Sequence, residues 1–73
     1  MEVELVTRRG CHLCEDTRDL LRQLGVEPKV RDVDADPELF RLYDFRVPVL
    51  LLDGRVVGEG RLDDQAVRRA LGV

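Results

Sequence analysis

The stretch Glu2-Val3-Glu4-Leu5-Val6-Thr7-Arg8-Arg9-Gly10-Cys11-His12-Leu13-Cys14 decides the fold. Its first six residues alternate polar and apolar side chains and end β-branched, the period-two signature of a strand. Arg8-Arg9-Gly10 breaks that period. Leu13, Thr17, Leu20, Leu21 and Leu24 then recur at helical intervals, which predicts a helix over 11–24, stopped by Gly25. The two cysteines thus fall at a strand-to-helix junction, on the first turn of the helix.

Outward from that junction the pattern continues. Lys29-Val30-Arg31-Asp32-Val33 alternates again and predicts a second strand. Asp36 followed by Pro37 is a helix start, with an acceptor at the N-cap and a fixed φ at the first helical position. Leu39, Phe40, Leu42 and Tyr43 are expected to form the apolar side of that short helix, with Tyr43 and Phe45 read as packing residues. Val47-Pro48-Val49-Leu50-Leu51-Leu52 is a dense apolar run, as for a strand buried on both faces. Asp53-Gly54 is a tight hairpin turn. Arg55-Val56-Val57 returns antiparallel and ends at Gly58-Glu59-Gly60. Asp63 caps a last helix whose inner face is Ala66, Val67, Ala70 and Leu71, with Leu62 and Val67 at the two positions of a hydrophobic staple. The order is β-α-β-α-β-β-α, and a right-handed crossover makes the first two strands parallel.

With 73 residues, the chain is expected to be one domain spanning 1–73, with a small core. Hydrophobic residues at 44% and charged residues at 37% describe a globular balance rather than disorder. A net charge of −3 and 4% aromatic residues argue against nucleic acid as a partner, since there is neither a basic stripe nor a stacking platform. No stretch approaches the roughly 20 apolar residues that cross a bilayer, and Met1-Glu2-Val3-Glu4 lacks the basic start of a signal peptide. The expectation is a cytoplasmic monomer with no membrane partner.

Cys11 and Cys14 carry the chemistry. On one helical turn their sulfurs can bond and separate with little backbone movement. The free N–H groups and partial positive charge of the helix start favour an anion at Cys11. Arg8, Arg9 and His12 add positive charge beside it, and the thiolate is the nucleophile. Exposed arginines interact weakly, so Arg8 and Arg9 also read simply as solvated loop charges. Thiol–disulfide exchange follows: Cys11 attacks a target disulfide, and Cys14 resolves the mixed disulfide. Two cysteines and one histidine cannot complete a four-ligand zinc site. A metal or iron–sulfur site would therefore need a dimer or an outside ligand; the carrier reading has it bridge two chains through Cys11. Pro48 sits at the head of a strand that otherwise reads as central, where proline is normally excluded. A cis Val47–Pro48 bond would reconcile the two; an ordinary trans proline at a strand start is the alternative.

Three segments together carry a resemblance: Thr7-Arg8-Arg9-Gly10-Cys11-His12-Leu13-Cys14, Arg46-Val47-Pro48-Val49-Leu50, and Asp53-Gly54-Arg55-Val56-Val57-Gly58. Across essentially the whole chain the sequence resembles glutaredoxins, in particular the small bacterial glutaredoxin-like proteins with a C-H-L-C centre. The resemblance implies an α/β, thioredoxin-like (glutaredoxin-type) fold: a four-stranded mixed sheet with helices on both faces. It implies a cis Val47–Pro48 bond facing the cysteine pair, with Val47 offering its backbone to the substrate. His12, adjacent to Cys11, joins Val47 and Pro48 in the expected substrate-binding set; a solvent-facing residue at the helix start is the alternative. It implies no bound cofactor. The expected partners are a protein disulfide or a glutathione-type disulfide as substrate, and a reductase or glutathione as electron donor. Two departures stand out. Typical glutaredoxins have Pro-Tyr between the cysteines, where this chain has His12-Leu13. They also carry Gly-Gly followed shortly by Asp, where this chain has Gly58-Glu59-Gly60 and then Asp63-Asp64.

Overall fold

The computed structural model describes residues 2–73. The elements are β1 (Val3–Thr7), α1 (His12–Gln23), β2 (Lys29–Asp32), a 3-10 turn (Val33–Ala35), α2 (Pro37–Tyr43), β3 (Val49–Leu52), β4 (Arg55–Glu59) and α3 (Asp64–Leu71). The strands form one mixed sheet in the order β2-β1-β3-β4. β1 pairs parallel with β2, Leu5 opposite Val30, and antiparallel with β3, Leu5 opposite Leu50. β3 and β4 form the hairpin turned by Asp53 (φ 50°) and Gly54 (φ 86°), the backbone of a two-residue turn with both central residues left-handed.

Period two along β1 and β3 sorts side chains onto two faces. Val3, Leu5 and Leu50 pack with Leu21 of α1 and with Val67 and Leu71 of α3. Val6, Val49 and Leu51 face the other way, against Val33 and, from α2, Leu39 and Tyr43. Helices therefore cover both faces, as the thioredoxin-like expectation required. Each helix begins and ends as its local sequence dictates. The Asp36 carboxylate accepts from the N–H groups of Glu38 (2.9 Å) and Leu39 (3.3 Å), and that of Asp63 accepts from Ala66 (2.8 Å). α1 closes in a Schellman arrangement, Val26 N–H to Leu21 C=O at 2.8 Å and Gly25 N–H to Arg22 C=O at 2.9 Å, which needs Gly25 at φ 77°.

The structure corrects three expectations. Val33 leaves the second strand and begins the 3-10 turn, its side chain fully buried under the sheet. In α2 only Leu39 and Tyr43, four residues apart, reach the core; Phe40 and Leu42 are exposed, because a two-turn helix on one face of a small sheet presents a single narrow stripe. Phe45, expected to pack, is 95% exposed. In the hairpin, Leu51 lies opposite Val56 but Leu50 opposite Gly58, so β4 bulges by one residue. A side chain at Gly58 would meet Leu62 Cδ2 at 2.9 Å. Gly58 thus makes room for the staple leucine in front of α3.

Leu50 sits at the centre of the larger core. Leu50→Ala should destabilise the protein by about 2–5 kcal/mol, the usual range for a buried leucine with no room to collapse. Urea denaturation should show a midpoint lowered accordingly with the m-value unchanged.

Candidate functional site

β1 and β3 are antiparallel neighbours, so the C-terminal end of β1 and the N-terminal end of β3 lie at one end of the sheet. The C-x-x-C turn and the Val47–Pro48 dipeptide are carried there together. Cys11 is the N-cap of α1, with extended backbone (φ −94°, ψ 108°), and its sulfur accepts from the Cys14 N–H at 3.2 Å. A sulfur at this position faces the unpaired N–H groups of the helix start. Cys11 and Cys14 are joined as a disulfide, with their Cα atoms 5.2 Å apart. The two are unequal. Cys11 is half-buried, whereas Cys14 is 2% exposed and shares the inward stripe of α1 with Thr17 and Leu21. Thr17, the one polar residue buried among the described residues, donates to Leu13 C=O at 3.0 Å.

The Val47–Pro48 bond is cis. Pro48 is fully buried and its carbonyl accepts from Gly60 N–H at 2.8 Å. The second glycine of Gly58-Glu59-Gly60 thereby secures the head of β3, at a φ of 71°. Val47 is half-buried and packs on the smaller core. His12 projects outward, its side chain 95% exposed and Nδ1 4.0 Å from a Glu15 carboxylate oxygen.

Arg8 departs from its expected role. Its guanidinium donates to both carboxylate oxygens of Asp34 at 3.0 Å, to the Asp44 carbonyl at 3.0 Å, and to the Asp44 carboxylate. The charge is turned toward two acids on the opposite side of the loop instead of being left free beside the cysteines. Its hydrogen bonds with Asp34 and Asp44 hold the Arg8 guanidinium ionised well above the ordinary arginine range. The same contact holds the Asp34 carboxyl below the usual carboxylate range. Arg8 C=O in turn accepts from Cys11 N–H at 3.2 Å, so the clasp links the cysteine turn to the segment leading into Val47. Sequence reasoning missed this clasp, because its partners lie 26 and 36 residues away from Arg8.

On the flank of α1 a groove of about 300 Å³ runs beside Cys14, lined among others by Arg9, Glu15, Arg18, Val30 and Asp32. Arg18 Nε is buried there without a hydrogen-bond partner. Among the described residues no group of three or more His, Cys, Asp and Glu side chains converges as a metal site. Nor, among them, is any helix long and apolar enough to cross a membrane.

A two-faced mixed sheet with a C-x-x-C turn at a helix start and a cis-proline at the same sheet end defines the class of thioredoxin-fold proteins. Thioredoxin 1 from Thermosipho africanus superposes with a TM-score of 0.57 over 99% of this chain and 96% of that one, at 16% identity, a likeness of fold alone. Protein XcR50 from X. campestris superposes with a TM-score of 0.81 at 30% identity, covering 96% and 95% of the two chains. Residues 2–72 match the Glutaredoxin-like domain (DUF836) family model, and the chain belongs to that family. Among curated relatives, uncharacterized protein Rv0508 of Mycobacterium tuberculosis is 36% identical over 76 residues, covering 92% of this chain and 78% of that protein. Putative glutaredoxin-C12 of Arabidopsis thaliana is 29% identical over 66 residues, 78% of this chain and 64% of that protein. Family, fold and the adjacent cysteine pair support a thiol–disulfide oxidoreductase-like role.

The clasp has a pH signature. A carboxylate whose folded pKa lies below its unfolded value stabilises the fold above the unfolded pKa, and that contribution is lost as pH falls through the folded one. In a carboxyl-detected NMR titration Asp34 should titrate below the ordinary carboxylate midpoint of about 3.9. In Arg8→Gln it should return toward that midpoint. The stability gap between wild type and Arg8→Gln should narrow as pH drops from 6 to 3.

Proposed function

We propose that the protein is a dithiol–disulfide oxidoreductase in which Cys11 is the nucleophile and Cys14 the resolving thiol. The observation that carries this assignment is their inequality at one helix start: Cys11 caps the helix and is reachable, Cys14 is buried one turn along. In the reduced protein the Cys11 thiolate attacks one sulfur of a substrate disulfide. That S–S bond breaks, a Cys11–substrate disulfide forms, and the first substrate thiolate leaves and takes up a proton. Cys14 then gives up its proton and attacks Cys11 Sγ, releasing the second substrate thiol. Two electrons have moved to the substrate, and the Cys11–Cys14 disulfide awaits a donor, either two molecules of glutathione or a reductase.

Val47 and Pro48 form the substrate platform. Val47 lies just before the cis bond and outside any strand, so its backbone polar groups are available to an extended segment bearing the target sulfur. His12, exposed on the first turn, faces solvent where the substrate approaches and adds positive charge near Cys11 when protonated. With Arg8 paired to two acids, the thiolate of Cys11 rests chiefly on the helix start and on the Cys14 N–H it accepts from. The exchange takes place within the cytoplasm, where a reducing pool regenerates the dithiol.

Reductase turnover, measured once with a glutathione system and once with thioredoxin reductase, should be lost in Cys11→Ser. In Cys14→Ser a mixed disulfide with the substrate should accumulate. Absence of turnover with either donor removes the assignment. A coloured dimer formed through Cys11 on anaerobic iron–sulfur reconstitution would replace it with a carrier. In the reduced protein the rate of Cys11 alkylation by iodoacetamide should rise with a midpoint below about 8.5, the value of an unperturbed thiol.

A further inference from the structure

Phe45 is the most exposed large apolar side chain among the described residues, at 95%, yet its backbone is held firmly on both sides. Before it, the Asp44 carbonyl and carboxylate are gripped by Arg8, and Asp44 N–H donates to Phe40 C=O at 3.1 Å. After it, Arg46 N–H donates to Tyr43 C=O at 2.9 Å, and its guanidinium bonds Glu59 at 2.6 Å and lies 5.1 Å over the Tyr43 ring. A loop that merely tolerated a phenylalanine could turn it onto the half-exposed flank of α2. Here it stands exposed between two fixed neighbours.

Its position is specific. Asp44 is tied through Arg8 to the turn that ends at Cys11, and Phe45 stands two residues before Val47. The loop that carries Phe45 therefore leads directly into the end of the sheet that carries the cysteine pair and the cis-proline. An exposed aromatic on a loop fixed at both ends is a common anchor of a polypeptide interface, because it buries a large area at small entropic cost. Charge points the same way. Glutathione brings two carboxylates, and the arginines flanking this loop, Arg8 and Arg46, are both already spent on Asp34, Asp44 and Glu59. With Asp34, Asp44 and Glu59 set against Arg8 and Arg46, these groups leave one net negative charge flanking the loop, which disfavours a small anionic thiol and leaves the exposed ring to an uncharged peptide segment.

We infer that Phe45 is the docking residue for a polypeptide substrate, so that the disulfides of extended protein segments are reduced in preference to glutathione disulfide. This inference rests on the reductase assignment above. The Arg8 clasp acts as a positioning device, holding the loop so that Phe45 and Val47 engage the same segment.

The test is single-turnover oxidation of fully reduced protein, which needs no electron donor. Three disulfides are compared: insulin as the polypeptide, glutathione disulfide as the small anion and 2-hydroxyethyl disulfide as the small neutral. Wild type should react faster with insulin than with glutathione disulfide. Phe45→Ala should lower the insulin rate constant about tenfold, the effect of losing one good anchor, and leave 2-hydroxyethyl disulfide within about twofold. Phe45→Tyr should retain the insulin rate. Because the ring is exposed, neither variant should alter the denaturation midpoint. An equal loss on all three substrates, no loss on insulin, or a wild-type preference for glutathione disulfide would each overturn the inference while leaving the reductase assignment standing. Sedimentation showing a wild-type dimer that dissociates in Phe45→Ala would give the surface to a second copy and also overturn it. Wild type unreactive toward all three would sink the reductase assignment itself, and this inference with it.

Discussion

The antiparallel pairing of β1 with β3 at the centre of the sheet is the constraint on which the rest depends. It sets Leu5 against Leu50 on one face and Val6 against Val49 on the other, so one pair of strands supplies the floor of both cores. The same pairing fixes where the chemistry can be. Strands running in opposite directions put the exit of one beside the entry of the next, so the loop after Thr7 and the dipeptide before Val49 meet without any direct bond between them. Registers that slip by one residue would turn Leu50 to the wrong face and uncouple the cysteine turn from the proline. Stability and site geometry are thus two consequences of one set of backbone hydrogen bonds.

How much of this could be read in the sequence depended on whether the signal was local. The caps Asp36 and Asp63, the turn Asp53-Gly54 and the stop at Gly25 each satisfy orphan backbone groups within a few residues, and each appears where its local chemistry required. The junction position of Cys11 and Cys14 was legible for the same reason, since a change of period from two to 3.6 marks the helix start. What was not legible depends on contacts far apart in the chain. Leu39, Phe40, Leu42 and Tyr43 crowd four apolar residues into five positions, and only the narrow surface of a small sheet selects Leu39 and Tyr43. Arg8 looked like a loop charge because nothing near it in sequence names Asp34 or Asp44 as its partners. Phe45 looked like core because large aromatics usually are, yet it stands 95% exposed between Asp44 and Arg46, whose partners Arg8 and Glu59 lie far off in the chain.

The Arg8 clasp also bears on how the two cysteines come to differ. Had the guanidinium stayed free, a cation three residues before Cys11 would favour thiolate at either sulfur within its reach. Bound to Asp34 and Asp44, it is no longer a free cation beside the cysteines. What remains is position. Cys11 holds the cap position, where the free N–H groups of a helix start are gathered, and Cys14 lies inside the first turn, its own N–H donating to Cys11 Sγ. Cys14, 2% exposed, packs on the inward stripe of α1 with Thr17 and Leu21. With Arg8 paired to Asp34 and Asp44, what distinguishes the two cysteines is their place at the helix start and their depth of burial, and the same clasp fixes the loop that leads to Val47 and Pro48.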